Sequence, residues 1–372
     1  ASTVTQTFTE TLRVEYDAAT GENLGALIEG ASTNLLTQSQ EITGTDWIKI
    51  NVATTAFRDS ALAPDKTMSG DKFVANTVSA THSITHGYTF SAGQTYTFSV
   101  FLKQGGNKNV MATFGTTSNW EGTLNSGRFD LQAGVITTDS SENTTIQDMG
   151  DGWFKCSITA TAINSLSTGV NIYLLNDANS VTFTGNDVDG AYAWGAQLEA
   201  LPFASSYIRT DASAVSRSAD NLSILSSPTL KEYDYTIDMD FDSKTITGSG
   251  YLCDFISSIG SVSSANRVQA DINESRIRVR QFSAGSPTTS LSVSLTEPTS
   301  SAYNLQIAYK DNYASVYFDK SLNSGSNATT PATEINRLTI GSAFNSTAHL
   351  NGHISKFKTY AQAMTAQEIT LL

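Results

Sequence analysis

Short runs in which apolar and polar residues alternate recur along most of this 372-residue chain. In QTYTFSVFL, residues 94–102, large apolar side chains alternate with Thr and Ser, and this period of two predicts a half-buried β-strand. Four later runs have the same pattern: Gly127–Leu131, Trp153–Ala160, Val170–Leu175 and Gly190–Leu198. Clusters of Gly, Asn and Asp separate the runs, as at Gly150–Gly152, and favour turns. Many short strands between frequent turns predict a β-sandwich or jelly roll.

A second series of runs follows a polar, weakly patterned connection at residues 209–231. Its first strand is predicted at Tyr233–Asp242, where Tyr, Ile, Met and Phe alternate with Thr and Asp. Eight further strands are predicted: Gly250–Ser257, Arg267–Ile272, Arg276–Phe282, Thr289–Leu295, Tyr303–Lys310, Tyr313–Phe318, Arg337–Ile340 and His349–Tyr360. The segment Lys310–Tyr313 is typical of a hairpin turn, because Asp311 and Asn312 tolerate positive φ.

Two segments late in the chain break the alternation. Ser321–Pro331 is rich in Ser, Asn and Thr, which predicts a loop. Thr365–Leu371 is the one predicted helix. Thr365 can cap its N-terminus, and Glu368 three residues later completes a capping box.

These patterns predict an all-β protein with two tandem antiparallel β-sandwich (jelly-roll) domains. Residues 1–30 form an N-terminal segment, residues 31–215 the first sandwich and residues 222–372 the second. The N-terminal segment contains two short β-like runs, Thr7–Thr11 and Leu24–Ile28. We expect it to pair with a neighbouring subunit, because unpaired strand edges recruit further strands.

Composition and charge exclude several partners. Charged residues make up only 15 % of the chain, which argues against long surface helices. The formal net charge of −13 repels nucleic-acid phosphates and anionic lipid, so neither is an expected partner. No run of about 18 apolar residues occurs, so we expect no membrane insertion.

The cysteines and the N-terminus add two expectations. Cys156 and Cys253 fall in different predicted domains, and we expect two buried free thiols rather than a disulfide. Ala1–Glu10 lack the apolar core of a signal peptide, and it stays open whether the chain continues before Ala1.

Three segments resemble one protein family. They are RVEYDAATGENLGALIEGASTNLLTQSQ (Arg13–Gln40), DGWFKCSITAT (Asp151–Thr161) and GAYAWGAQLEALPFASSYIRTDASAVSRSAD (Gly190–Asp220). In the same order, similar segments recur in bacteriophage tail-fibre and other virion proteins. The resemblance covers roughly residues 13–220 and implies a carbohydrate-binding-module-like sandwich.

The end of the chain, LNGHISKFKTYAQAMTAQEITLL (Leu350–Leu372), resembles concanavalin-like, laminin-G-type jelly rolls. The family pattern is a Gly, an alternating strand, a Tyr, and a Leu/Met-Thr turn that opens a terminal helix. The matching positions are Gly352, Ile354, Phe357, Tyr360, Met364, Thr365, Glu368 and Ile369. Together the two resemblances imply a virion fibre or adhesin, and they transfer no catalytic residue because neither motif is catalytic.

Candidate sugar contacts come from the aromatic residues. Trp120 lies in the polar loop TTSNWEG, residues 116–122, where we expect it to be an exposed platform with Asn119 and Glu121 beside it. A flat ring offers an apolar face to a sugar, and the neighbouring amide and carboxylate can bind hydroxyls.

The other aromatic residues are weaker candidates. Trp153 and Trp194 lie inside predicted strands, so we expect them in the core. In the second half, Tyr313 at the predicted hairpin and Phe344 in a loop are lesser candidates for ligand contact.

An oxygen-rich loop, TGNDVDG, is a candidate calcium site through Asn186, Asp187 and Asp189. Ca²⁺ prefers oxygen ligands from side chains and the backbone. The alternative is a plain turn, which the same residues favour. A second loop could add ligands if the two loops meet: Asn176, Asp177 and Asn179.

Asp238, Asp240 and Asp242 alternate on one face of a predicted strand. Such carboxylates can form a glycosidase acid pair or hold calcium, but we expect a solvated face. A basic row alternates on a later strand: Arg276, Arg278 and Arg280. If the two strands are neighbours, cross-strand charge pairs account for both rows.

Two pairs of histidines are weak metal candidates, because no third ligand is evident beside either. The pairs are His82 with His86 and His349 with His353.

The preferred interpretation is a non-enzymatic phage protein at the virion surface, extracellular, that adheres to host-surface glycans. Expected partners are other virion proteins, host glycan and further copies of the chain, with a trimer favoured by analogy with fibres. Two alternatives stay open: a purely structural decoration or connector protein, and a polysaccharide-degrading enzyme. An exposed aromatic platform favours the adhesin, and carboxylates converging in a groove favour the enzyme.

Overall fold

The computed structural model describes most of the chain. The described residues are 13–18, 20–53, 58–123, 125–141, 143–225, 234–243, 249–257, 267–273, 276–283, 286–294, 302–310, 313–319, 321–327, 335–342, 348–360 and 362–372. Nearly all their regular structure is β-strand, which confirms the all-β prediction. In this part of the chain no helix is long and apolar enough to cross a membrane.

The elements follow one another in short succession. The strands are β1 (Val14–Tyr16), β2 (Asn23–Ile28), β3 (Ser32–Asn34), β4 (Trp47–Ile50), β5 (Val52–Ala53), β6 (Ala61–Leu62), β7 (Met68–Ala75), β8 (Ser79–Phe90), β9 (Thr95–Gly105), β10 (Asn109–Phe114), β11 (Ser126–Asp130), β12 (Val135–Ser140), β13 (Asn143–Asp148), β14 (Trp153–Thr161), β15 (Leu166–Leu175), β16 (Thr182–Thr184), β17 (Gly190–Glu199), β18 (Val215–Arg217), β19 (Leu222–Leu225), β20 (Asp234–Phe241), β21 (Ser249–Ser257), β22 (Arg267–Asn273), β23 (Arg276–Ser283), β24 (Ser286–Ser294), β25 (Tyr303–Lys310), β26 (Tyr313–Phe318), β27 (Ser321–Asn327), β28 (Ile335–Ile340) and β29 (Gly352–Tyr360). The helix α1 is Ala366–Ile369, and the 3-10 turns are Thr117–Asn119 and Glu121–Thr123.

The chain folds into two compact units. The N-terminal sandwich comprises the described residues within 18–20 and 32–217. The C-terminal sandwich comprises the described residues within 13–17, 21–31 and 218–372.

Two antiparallel sheets form the N-terminal sandwich. One has the order β12-β11-β10-β15-β8-β16, with β4 also on β8; the other has the order β13-β14-β9-β17-β7-β5, with β6 also on β7. Apolar residues from both sheets, such as Ile84 and Ile172 on one and Phe98 and Ile158 on the other, form one buried core.

The strand β9 departs from the half-buried prediction, because its polar side is covered as well. Thr97 and Ser99 are almost fully buried. Thr97 Oγ1 donates to the carbonyl of Leu201 at 2.8 Å, and Lys155 on the neighbouring strand donates to the carbonyl of Ser205. The chain after β17 therefore lies over this face, which the alternation of β9 alone could not indicate.

Buried polar side chains anchor this covering segment. Gln197 is 1 % exposed; its amide nitrogen lies 3.3 Å from the carbonyl of Ser206, and its oxygen accepts from the backbone of Ile208 at 2.6 Å. Glu199 accepts from Ser32 Oγ and from the backbone N–H of Ser205. These two buried side chains therefore have a structural role in the segment GAQLEALPFASSY, residues 195–207.

Two antiparallel sheets also form the C-terminal sandwich. Their orders are β1-β2-β29-β20-β25-β26-β27 and β19-β28-β21-β22-β23-β24. The core between them includes Ile237 and Leu305 from the first sheet and Val268 and Val279 from the second.

The N-terminal hairpin β1–β2 extends a sheet of its own chain. Strand β2 pairs with β29 of the same chain, and pairing of this segment with a neighbouring subunit remains a prediction. Arg13 fixes the hairpin through two ion pairs. It binds the buried carboxylate of Glu29 at 3.2 Å, and it also binds the partly exposed carboxylate of Asp220. The run Thr7–Thr11 lies outside the described residues.

Of the local predictions near the C-terminus, the structure confirms the helix cap and contradicts the loop. The capping box is confirmed, since Thr365 accepts from the backbone of Glu368 and the Glu368 side chain accepts from that of Thr365. Residues 321–327 form strand β27 rather than the predicted loop, because their backbone pairs with β26 at the sheet edge. The strands β25 and β26 pair Lys310 with Tyr313, as a hairpin requires, while residues 311–312 lie outside the described part.

Both cysteines are free and buried, as predicted. Desolvation raises the pKa of each thiol, which keeps both protonated and unreactive at neutral pH.

Candidate functional site

The prediction that Trp120 is an exposed platform is wrong. Its exposed fraction is 0 %, and its ring packs 4.5 Å from that of Phe114 and 4.9 Å from that of Phe90, centroid to centroid. The indole nitrogen donates to the carbonyl of Gly115 at 2.9 Å, which satisfies its only polar group. The Trp120 ring is therefore part of the core of the N-terminal sandwich.

The other predicted ligand contacts do not form a platform with Trp120. Asn119 is buried and its amide donates to the carbonyl of Asn164, whereas Glu121 is exposed. Tyr313 is 45 % exposed at the start of β26 in the C-terminal sandwich, so it remains available as a ligand contact. Phe344 lies outside the described residues. Trp153 and Trp194 are buried, as predicted, although in a small cluster apart from the main core.

The predicted calcium loop is a hydrogen-bonded turn. Asn186 Oδ1 accepts from the backbone of Val188 and of Asp189, and its Nδ2 donates to Asp189 Oδ2 at 2.7 Å. Asp187 is exposed with a φ of 58°. Most polar atoms of Asn186 therefore already have protein partners.

This loop meets the second oxygen-rich loop at Asn176 and Asp177, which is the condition for additional ligands from that loop. Together they line a cleft of about 190 Å³ that includes Asn107, Asn176, Asp177, Asn186 and Asp189. No three His, Cys, Asp or Glu side chains of the described residues lie close enough together to hold a metal ion. Calcium in this cleft remains a prediction.

The histidines bond to protein atoms. His82 places both ring nitrogens within 2.9 Å of backbone carbonyl oxygens, and His86 lies close to Gly87 O and Thr37 Oγ1. His353 bridges Asp242 and Glu15, with its Nε2 2.6 Å from the Glu15 carboxylate. Desolvation lowers the pKa of His353, but the hydrogen bonds to these two carboxylates outweigh it and raise the pKa to about 9.

The acidic row on β20 is not a solvated face. Asp238 is fully buried, receives the Gln306 amide at 3.0 Å, and lies 2.9 Å from Lys356 Nζ. Lys356 also lies 3.5 Å from Asp240. Lys356 balances one of these two carboxylates and Asp238 is buried, so the row does not form the open acid pair that a glycosidase needs.

The basic row on β23 has a different partner from the one predicted. Strands β20 and β23 belong to different sheets, so the proposed pairing of the two charge rows is wrong. Arg278 and Arg280 both bind Asp271 Oδ2 on the adjacent strand β22, at 2.5 Å and 3.2 Å. Sequence reasoning missed Asp271, although its place between the apolar residues Ala270 and Ile272 put it on the polar side of that strand.

These charges belong to one surface, the outer side of strands β22 to β24, which we call the polar face. Its defining residues are Gln269, Asp271, Arg276, Arg278, Arg280, Ser290, Ser292 and Ser294. Their neighbours along each strand, such as Val268, Val279 and Leu291, point into the core.

The floor of the polar face carries hydrogen-bonding groups that are not used. Gln269 is 1 % exposed, and neither its amide nitrogen nor its oxygen has a partner among the described residues. The same holds for Asp271 Oδ1 and for the Nε atoms of Arg278 and Arg280. Buried polar groups in folded proteins are normally hydrogen-bonded, so bound water or a ligand is needed here.

The rim of the polar face is open. Arg276 is exposed, and so are Ser290, Ser292 and Ser294 on the edge strand β24. The register places Arg276 opposite Ser294, Arg278 opposite Ser292 and Arg280 opposite Ser290. Guanidinium groups and hydroxyls therefore alternate across two neighbouring strands.

Residues 217–370 match a family model described as the concanavalin A-like lectin/glucanases superfamily, of laminin-G type. This part of the chain is a concanavalin-like, laminin-G-type domain. No curated protein matches the chain.

Solved structures with partial similarity include binding proteins. The CBM40 of the Ruminococcus gnavus IT-sialidase bound to α2,3-sialyllactose aligns over 41 % of this chain and 96 % of its own, with 9 % identity and a TM-score of 0.32. Sheep galectin-11 in complex with glycerol aligns over 38 % and 96 %, with 10 % identity and a TM-score of 0.28. A pentraxin from Limulus polyphemus aligns over 37 % and 68 %, with 12 % identity and a TM-score of 0.30. At these TM-scores the similarities carry no argument about a ligand.

Proposed function

We propose that this chain is a non-enzymatic surface protein of a phage virion that adheres to host-surface glycans through its C-terminal sandwich. The observation that carries the glycan part is the polar face. On a concanavalin-like domain it combines an open rim of Arg and Ser with buried groups that have no partner among the described residues. Sugar hydroxyls both donate and accept hydrogen bonds, so they can complete such groups.

The virion part of the proposal has a different support. It rests on the resemblance of Arg13–Gln40, Asp151–Thr161 and Gly190–Asp220 to recurrent segments of phage fibre proteins. In the structure Asn34 and Gln197, from the first and third of these segments, help to fix the covering segment of the N-terminal sandwich. The resemblance therefore concerns the scaffold, while the glycan site is assigned to the other sandwich.

Binding is favoured over hydrolysis by the state of the carboxylates. Asp238 is buried in an ion pair with Lys356, and Asp271 is held between two arginines. Both are buried carboxylates held by cations of their own chain, and they do not form an open pair of carboxyl groups on either side of a groove.

A glycan-array screen of the full chain, with and without EDTA, tests this function. Saccharide binding without release of reducing ends supports an adhesin, and release of reducing ends would instead identify an enzyme. Sensitivity to EDTA would support calcium in the cleft of Asn186 and Asp189. A well-folded chain that binds no saccharide would contradict the proposal and favour a purely structural virion protein. Light scattering on the same sample tests the proposed trimer.

A further inference from the structure

We infer that the polar face selects glycans that carry a carboxylate, such as a sialic or uronic acid, with Arg276 as the contact for the anion. This inference rests on the proposed glycan-binding function and adds the chemical class of the ligand.

The charge of the polar face is opposite to that of the chain. The whole protein carries 35 acidic and 22 basic residues, yet β23 has three arginines within five positions. Asp271 is the carboxylate between Arg278 and Arg280, so it can balance only one of them. A second buried carboxylate, Asp254, lies on the adjacent strand β21, so three arginines stand beside two carboxylates. Arg276 is exposed and has no ion pair among the described residues. The face therefore keeps a local positive charge that attracts an anion.

The chemistry of the cation favours a carboxylate. A guanidinium presents its N–H groups in a planar fork that matches two carboxylate oxygens. Because Asp271 holds Arg278 and Arg280, these two side chains are fixed before a ligand arrives. Arg276 at the open end remains able to turn towards an anionic group.

The hydroxyls beside the arginines complete a site for a sugar rather than for a bare anion. Ser292 and Ser294 are exposed on β24, directly opposite Arg278 and Arg276. Neighbouring strands lie about 4.8 Å apart, so a ring that places its carboxylate on an arginine can reach these hydroxyls. Gln269, opposite Arg280, offers a further unused amide at the inner end of the row.

The test compares the full chain with two charge-reversal variants. Arg276→Glu changes the polar face, and Lys358→Glu makes the same change at an exposed position of the other sheet in the same sandwich. Both are measured by calorimetric titration with sialyllactose and lactose, and with a uronic-acid oligosaccharide and its neutral counterpart. A third variant, Arg276→Lys, keeps the charge but loses the fork.

The inference predicts that an acidic saccharide binds more tightly than its neutral counterpart. Arg276→Glu should weaken acidic-saccharide binding about tenfold or more, as expected for a charge-assisted hydrogen bond. Arg276→Lys should weaken it less, and Lys358→Glu should leave it within about twofold of the wild type.

Other outcomes separate this inference from the proposed function. Equal affinity for acidic and neutral saccharides, or unchanged affinity in Arg276→Glu, would overturn the inference and leave glycan binding intact. Equal losses in Arg276→Glu and Lys358→Glu would also overturn it, since they would indicate general charge rather than this face. Binding to no saccharide at all would overturn both.

Discussion

The two sandwiches treat a polar outer sheet face in opposite ways. In the N-terminal sandwich a following segment covers the face, and the buried side chains of Gln197 and Glu199 bind its backbone. In the C-terminal sandwich Gln269 is equally buried but has no hydrogen-bond partner among the described residues. A face completed by its own chain stabilises the fold, whereas a face with unused groups is suited to a ligand.

The largest expected effect concerns Trp120. Trp120→Ala should lower the free energy of unfolding by about 4 kcal/mol, because it removes a buried ring packed between two phenylalanines. Glycan affinity of the folded fraction should stay unchanged, since this residue belongs to the core of the other sandwich. Urea unfolding and titration of the same variant measure both quantities. If the variant instead lost glycan binding while its free energy of unfolding stayed unchanged, Trp120 would be a ligand contact.

The two sandwiches should also differ in their response to pH. The pKa of His353 is raised from 6.5 to about 9, so its contribution is fully present below pH 6.5 and is lost as pH rises through about 9. Desolvation lowers the pKa of His86, so the N-terminal sandwich should lose stability as pH falls below about 6.5. Hydrogen exchange at pH 5.5, 7 and 9.5, corrected for intrinsic rates, resolves the two regions.

The free energy of unfolding of the C-terminal sandwich should fall by on the order of 3 kcal/mol as pH rises through this range, and the fall should disappear in His353→Gln. If protection of β1, β2 and β29 does not fall between pH 7 and pH 9.5, the bridge between Glu15 and Asp242 is not formed in solution.

A matched pair of substitutions tests whether the buried amides of Gln197 and Gln269 differ in their contribution to stability. Gln197→Leu should destabilise the protein by about 2 kcal/mol, because it leaves the backbone of the covering segment unpaired. Gln269→Leu should be neutral or stabilise by about 1 kcal/mol, because a buried amide without a partner is replaced by an apolar group of similar size. Chemical denaturation of both variants gives the difference. Equal destabilisation would indicate that Gln269 has a structural partner.

A small effect is expected from Ser292→Ala on the open rim of the polar face. The residue is exposed, so unfolding should change by less than about 0.5 kcal/mol. Saccharide affinity should fall about threefold if its hydroxyl contacts a sugar, since a single neutral hydrogen bond contributes about 1 kcal/mol. Ser355→Ala, at an exposed position on the other sheet, is the control.

Local patterns predicted the fold well where the signal lies within a few residues. The capping box at Thr365 and Glu368 needed only their spacing, and the period of two located most strands of both sandwiches. Edge strand β27 was missed because its Ser and Asn residues pair through the backbone and show no apolar period.

The candidate site was harder to predict because it depends on contacts distant in sequence. The polar neighbours of Trp120 suggested exposure, but the ring fits between Phe90 and Phe114 in three dimensions. The basic row on β23 was visible in the sequence, while its partner Asp271 depended on which strands are adjacent. Sheet order, which a single sequence does not specify, therefore decides which side chains come together on the polar face.

The most direct test of the central claim is hydrogen exchange of the full chain with and without the tightest-binding saccharide from the array. We expect added protection within residues 267–294, which contain β22, β23 and β24, and none in residues 110–125 around Trp120. Protection confined to the N-terminal sandwich would contradict the assignment of the glycan site to the polar face.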